Sequence, residues 1–495
     1  MSILAKLNSR SIKVNYLLNF LRVFSAALVG IYTLPYLTRI LGPAYMGKVE
    51  YINSIINYFI LFSSLGIPMY GIREISKQRN NTRELYKTVA ELYAILSVTT
   101  VIAYIILFGV LLQINALQNY HSLILIMSGM VILNNIGAEW FFQGMENQLY
   151  ITVRYVVVRV LVFALIYVLI KQPSDYLIYA ALLVLLNYGA NILNFAYLSR
   201  KIYSQKLSFS SLEFKKHLKP ILTIFIATVS VNIYLQLDNF LIGSISGDQY
   251  VGYYAIANKL IRFVISFITI IGAVLLPRLS FLFVNNKEQY YQYLKKCFNI
   301  LVLLSIPASI FFFVFANTLV HIMAGKEFES SIVTMRILSP LCIIVSMAYF
   351  MGFLILYPQN REKIYTYATV ISAVFSIMIN YFAIQKFQQN GAAVIAILSE
   401  FFAIVVMYIY ARKNNLVFNI FNKNTFKVLA VNSIILLLSY FMIGSRVLNL
   451  GNFLLFTLVF FTIYVFSLIL VKEDILQESL LKLKTKYQKK KHDHL

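Results

Sequence analysis

Runs of apolar residues, each about 17 to 25 long and parted by short polar breaks, recur from one end of this chain to the other. A run of that length crosses roughly 30 Å of hydrocarbon as a helix. Lipid offers no partner to a backbone N–H or C=O, so each run must satisfy its hydrogen bonds internally. The chain therefore reads as an all-α polytopic membrane protein. Composition leaves no room for a soluble fold: 60% of the 495 residues are hydrophobic and 13% charged, where a soluble domain carries roughly a quarter charged.

Apolar windows place spans near 14–40, 46–71, 86–113, 119–141, 150–170, 176–199, 218–245, 250–277, 297–320, 332–357, 363–385, 391–411, 426–444 and 452–471. Alternate loops then separate by charge. Arg73 to Lys87, Arg200 to Lys219, Lys287 to Lys296, Arg412 to Lys427 and the tail Lys482 to Lys491 are basic, while Gln113 to Ser122 and Gly243 to Tyr250 carry almost no Lys or Arg. Positive loops stay inside, which puts both termini in the cytoplasm and requires an even number of spans; about fourteen satisfies this. Lys6, Arg10 and Lys13 precede the first run with no small-residue cleavage site after it, so that run is expected to be a retained helix. The formal charge of +24 is scattered between spans. It suits anionic lipid headgroups, and nucleic acid is not expected as a partner. Cys297 and Cys342 fall in or beside spans and support neither a disulfide framework nor a metal site.

Sliding the chain by 205 positions pairs Gly42 with Gly247, Tyr45 with Tyr250, Gly47 with Gly252, Arg73 with Arg278, Asn81 with Asn286 and Tyr86 with Tyr291. An even number of helices between copies makes them parallel, an arrangement that builds two lobes around a substrate site for alternating access. The expected organisation is an N-terminal lobe of helices 1–6 over residues 1–205, a C-terminal lobe of helices 7–12 over 206–415, extra helices 13–14 over 416–475, and a basic tail over 476–495.

No enzyme constellation emerges. The five histidines lie in loops or the tail without metal-ligand spacing, and no Walker-type loop precedes a helix. The expectation is a transporter with no cofactor, driven by an H⁺ or Na⁺ gradient or by substrate flux. Ionisable groups inside spans are costly and mark function by default. Here cations dominate: Arg22, Lys48, Lys259 and Arg262, the last two one turn apart, would form a cationic cavity suited to a phosphate or diphosphate if helices 1, 2, 7 and 8 line the space between lobes. Arg154 and Arg159, near an inner end, are expected to snorkel to headgroups. Asp238 is the candidate for ion coupling, with pairing to a lysine as the alternative. Asn53 and Asn57, one turn apart, offer the amide donors and acceptors that sugar hydroxyls need, although amides also join helices.

The segments Leu34-Pro-Tyr-Leu-Thr-Arg-Ile-Leu-Gly-Pro43, Met46-Gly-Lys-Val-Glu50 and Leu65-Gly-Ile-Pro-Met-Tyr-Gly-Ile-Arg-Glu74 resemble the amino-terminal signature of polysaccharide-repeat flippases. These belong to the multidrug, oligosaccharidyl-lipid and polysaccharide exporter superfamily. Glu139-Trp-Phe-Phe-Gln-Gly144 and Val251-Gly-Tyr-Tyr-Ala255 resemble later patterns of the same family. Within the match, Pro35, Arg39, Gly42, Gly47, Arg73, Gly247 and Gly252 are motif positions. The resemblance implies a flippase for undecaprenyl-diphosphate-linked repeat units feeding O-antigen, capsule or teichoic acid synthesis, in the bacterial cytoplasmic membrane, with Arg22 and Arg262 near the diphosphate. Polymerase or ligase machinery would be its protein partners, and helices 13–14 would form a lipid-tail groove or an oligomer contact. The alternatives are a peptidoglycan-precursor flippase and a cation-coupled multidrug antiporter; the latter needs intramembrane carboxylates, which cations outnumber here.

Overall fold

The computed structural model describes residues 12–205, 212–414, 416, 423–443 and 446–477, apart from some side chains inside helices. Ile12–Ser64 is helical throughout except at Gly42, whose φ of 67° lies in the left-handed region. Unbroken, such a stretch would run about 80 Å, over twice the hydrocarbon thickness, so this one glycine separates two spans, α1 (12–41) and α2 (43–64). Helices α3 (Ile67–Gln78), α4 (Thr82–Gly109), α5 (His121–Gly137), α6 (Glu139–Gly144), α7 (Gln148–Leu169), α8 (Tyr176–Val184) and α9 (Asn191–Ser204) follow, with a π-helical turn at 185–189 between the last two. Then come α10 (Lys215–Ile245), α11 (Asp248–Asn285), α12 (Lys287–Val314), α13 (Ala316–Met323), α14 (Ser331–Leu338) and α15 (Leu341–Tyr349), the last continued by a π segment, Phe350–Leu356. Glu362–Lys413 breaks at Gln388 into α16 (362–387) and α17 (389–413), and α18 (Lys423–Ile443) and α19 (Leu450–Leu470) complete the described chain.

Ten helices, or eleven with the bent α8–α9 pair, are long and apolar enough to cross a membrane. Two of these, broken at Gly42 and Gln388, are each two spans, and the 31-residue α10 supplies the fourteenth among the described residues. Two expectations shift. The second span stops at Ser64 rather than near 71, because Gly66 turns left-handed (φ 75°) and Pro68 starts a new helix. The resulting α3 is amphipathic, burying Tyr70 and Ile75 while Arg73 and Lys77 face out, so the first basic stretch is largely helix rather than loop. Likewise α12 starts at Lys287, capped by Asn286, and ends at Val314.

The 205-residue repeat reappears in backbone geometry. Gly42 and Gly247 both take positive φ between two spans, 67° and 101°. Asn81 and Asn286 both cap the next helix, accepting from Glu84 N at 3.3 Å and Gln289 N at 3.0 Å. A left-handed glycine between spans and an asparagine cap on the following helix thus recur 205 residues apart.

Two compact units form, residues 1–252 and 253–495. In the first, α3, α4 and α6 enclose Tyr70, Ile75, Leu92, Trp140, Phe141 and Phe142. Here too the start of α2 meets the start of α11: a Cβ on Gly47 would lie 1.7 Å from Asp248 O, and one on Gly252 would lie 2.2 Å from Pro43 O. In the second unit, α18 and α19 attach to α12 through polar as well as apolar contacts. Thr425 donates to Asn299 at 3.3 Å and Tyr464 to Leu303 O at 2.7 Å, while Asn424 ties α18 to the residues after α19 by donating to Glu473 at 2.8 Å.

Any side chain at Gly47 or Gly252 meets backbone, which cannot rotate away. Gly47→Leu or Gly252→Leu is expected to destabilise by about 3 kcal/mol or more, seen as a lowered unfolding temperature of the detergent-solubilised protein. A wild-type temperature for both variants would refute the close packing.

Candidate functional site

A break in α5–α6 builds the most unusual site of the first unit. Ala138 takes a left-handed conformation (φ 40°, ψ 42°), ending α5 at Gly137 and starting α6 at Glu139. Such a break frees carbonyls that hydrocarbon cannot solvate. Asn194 on α9 meets one of them, donating to Gly137 O at 2.6 Å, Tyr93 donates to Ile136 O at 2.8 Å, and Asn191, one turn from Asn194, donates to Leu133 O just before the break at 3.0 Å. The neighbouring π turn precedes Ala190, whose carbonyl accepts from Arg154 Nη1 at 3.0 Å. Broken helices and π turns are common at functional positions in membrane proteins because they aim polar groups inward.

The break points Glu139 at a cluster of arginines. Arg22 Nη1 donates to Glu139 Oε1 at 2.8 Å, and Arg154 Nη2 stands 3.5 Å from Oε2. Gln143 Nε2 adds a bond to Oε1 at 3.0 Å. Arg22 and Arg159 both lie over the Tyr155 ring, at 5.6 and 4.3 Å, and Arg154 lies over Tyr150 at 5.6 Å. Two guanidinium groups thus contact one carboxylate, and a third, that of Arg159, shares the Tyr155 ring with Arg22. Their exposures differ: the Arg154 side chain is 3% exposed and Arg22 25%. Arg154 therefore does not snorkel as expected; the carbonyl and carboxylate inside the unit hold it better than headgroups would. The Nε atoms of Arg154 and Arg159 are buried without a hydrogen-bond partner among the described residues.

Lys48 stands apart from this cluster. Its ammonium lies 5.7 to 5.8 Å from the rings of Tyr45, Tyr120 and Tyr176, and Tyr120 donates to Asp248 at 2.7 Å. Arg22 precedes the Gly42 break by about 30 Å of helix, and Lys48 follows it by only about 9 Å. The two expected members of one cavity accordingly occupy different levels of the first unit. Asn57 donates to the carbonyl of Asn53 at 2.8 Å, so that amide is engaged on its own helix. Asp238 is buried on α10 within electrostatic reach of Tyr58. Lys259 and Arg262 belong to α11 in the second unit, where Lys259 is exposed and Arg262 Nε donates to Asn258 at 2.9 Å. Among the motif positions, Pro35 lies inside α1 and Arg39 is exposed.

His217, expected in a loop, is instead buried at the start of α10. It bridges Tyr70 Oη at 2.6 Å and Glu91 Oε2 at 2.7 Å, fastening α10 to α3 and α4. Neighbouring Lys216 donates to Glu91 at 3.3 Å and to Glu213 at 3.2 Å. The histidines and lysines of the tail beyond 477 lie outside the described residues.

Residues 12–283 match the family described as "Polysaccharide biosynthesis protein". The chain belongs to this family. A shorter stretch, 223–382, also matches the MatE family. Among curated relatives, the "Putative O-antigen transporter" of Escherichia coli (strain K12) is 23% identical over 389 residues, 79% of this chain and 94% of that protein. The protein of the same name from Shigella dysenteriae is 24% identical over 412 residues, 80% and 98% of the two chains. In fold, the chain is similar to the lipid II flippase MurJ in an inward closed conformation, with a TM-score of 0.76 at 14% identity over 93% of this chain and all of that one. It also resembles an inward-facing multidrug resistance MATE transporter, with a TM-score of 0.60 at 12% identity over 78% and 94%. These likenesses are of fold: a multi-pass, all-α arrangement shared with both solved structures.

The geometry assigns different weights to two of the arginines. Arg154→Leu leaves Ala190 O without its donor and Glu139 short of a cation, and should cost about 3 to 5 kcal/mol. Arg22→Gln, at a half-open pair, should cost about 1 kcal/mol or less. Thermal unfolding of the purified variants checks this, and equal losses would contradict the assignment.

Proposed function

We propose that the protein is a flippase that carries undecaprenyl-diphosphate-linked oligosaccharide repeat units from the inner to the outer leaflet of a bacterial cytoplasmic membrane by alternating access. Membership in a polysaccharide biosynthesis family and likeness to O-antigen transporters support the substrate class. The observation that carries the reading is the excess of guanidinium over carboxylate around Glu139, with Arg22 left partly open. A surplus positive charge inside a spanning segment is unfavourable unless an anion uses it, and guanidinium groups bind phosphate oxygens bidentately. Arg22 is the first phosphate ligand in this reading, and Arg262 and Lys259 of the second repeat serve the same diphosphate at another stage of the cycle. Lys48 in its tyrosine cage and the Asn53–Asn57 pair serve the sugar end. Both termini lie in the cytoplasm, and a polymerase or ligase takes the product on the far side.

Depleting the protein in its own cell should cause one undecaprenyl-linked repeat unit to accumulate on the inner leaflet, naming the sugar of an O-antigen, capsule or teichoic acid. Accumulation of the peptidoglycan precursor would reassign it to that pathway, and altered drug sensitivity with no lipid intermediate would favour the antiporter. Arg22→Ala and Arg262→Ala should each reduce transport at least about tenfold at wild-type expression; transport at the wild-type level in both would refute the phosphate role. Asp238 is the proposed ion-coupling group. Asp238→Asn should make transport indifferent to collapse of the proton or sodium gradient, and undiminished sensitivity would leave Asp238 a structural residue.

A further inference from the structure

Glu139 holds Arg22 through one Nη1–Oε1 bond, although a guanidinium offers five donors and a phosphate could take two at once. Both side chains of that bond are partly open, 25% and 32% exposed, so a ligand can reach it. Glu139 has other partners: Arg154, sealed at 3% exposure, stands 3.5 Å from its Oε2, and Gln143 donates at 3.0 Å to the same Oε1 that Arg22 uses. Glu139 therefore keeps a cation and a donor if Arg22 leaves. An empty carrier must also cross its cycle with these arginines inside the membrane, where bare charges are costly.

We propose that Glu139 is an internal counter-ion that occupies Arg22 in place of a substrate phosphate and gives it up when a diphosphate arrives. The proposal rests on the anion-site reading of Arg22 and adds its regulation. While the site is empty, the carboxylate neutralises Arg22. When a diphosphate binds, its oxygens take the Arg22 fork and Glu139 falls back on Arg154 and Gln143. When the product must leave, the returning carboxylate competes for Arg22 and speeds release. Glu139 is thus a positioning residue whose removal strengthens binding while slowing turnover, a pairing of effects that loss of fold or of Arg22 orientation does not produce.

The test uses full-length protein in lipid nanodiscs, with inorganic pyrophosphate and undecaprenyl diphosphate as probes, and measures affinity alongside transport in cells. Glu139→Gln should bind either probe at least about tenfold more tightly than wild type, because a nearby negative charge is gone, and should transport more slowly. Glu139→Asp keeps the charge but shortens its reach, so it should bind more tightly by a smaller factor, and it serves where the Gln variant folds poorly. Equal or weaker binding in both variants, with wild-type binding that depends on Arg22, overturns the counter-ion role alone. Absence of Arg22-dependent binding in the wild type overturns the anion site itself and the counter-ion role with it.

Discussion

Hydrocarbon solvates neither a peptide group nor a charge, and this shapes the protein more than any single contact. Each departure from regular helix needs a polar side chain beside it. The break at Ala138 is the clearest instance: Asn191, Asn194 and Arg154 each meet a carbonyl in or facing it. Those bonds fix Arg154 inside the unit, and Arg154 in turn stands by Glu139. The site's electrostatics follow from repair of the backbone, so a mutation at Arg154 disturbs both, whereas one at Arg22 leaves the backbone repair in place.

The fold was legible because it is written in local patterns. Apolar length and loop charge yield fourteen spans without tertiary information. The repeat was legible too, since Gly42 and Gly247, or Asn81 and Asn286, carry their structural meaning in their own residue type: a left-handed turn and a helix cap. Boundaries failed where a small local signal ended an apolar run, as Gly66 and Pro68 do for the second span.

The site was less legible. Arg22 is conspicuous as a charge within a span, but its partner Glu139 lies 117 residues away, and periodicity says nothing about which distant helix faces which. Glu139 was visible only as one letter of a motif. Gly137 and the one-turn spacing of Asn191 and Asn194 were the signals of a broken helix at that point. Arg154 misled because a cation near a span end usually reaches for headgroups; only the π turn and its neighbouring free carbonyl reveal the inward alternative. His217 misled in the same way, being polar and near a basic stretch, yet closing a buried chain from Tyr70 to Glu91.

The glycine contact between α2 and α11 has a symmetry of its own. With the 205-residue offset, Asp248 corresponds to Pro43 and Gly252 to Gly47, so Gly47 lies on Asp248 O while Gly252 lies on Pro43 O. Each repeat presents to the other the same position that it receives. That is an isologous contact, the kind a two-fold homodimer makes through one self-complementary patch. A single six-span ancestor could make it with a second copy of itself before the two copies were joined into one chain, and neither glycine could then drift without disturbing both halves of the interface at once.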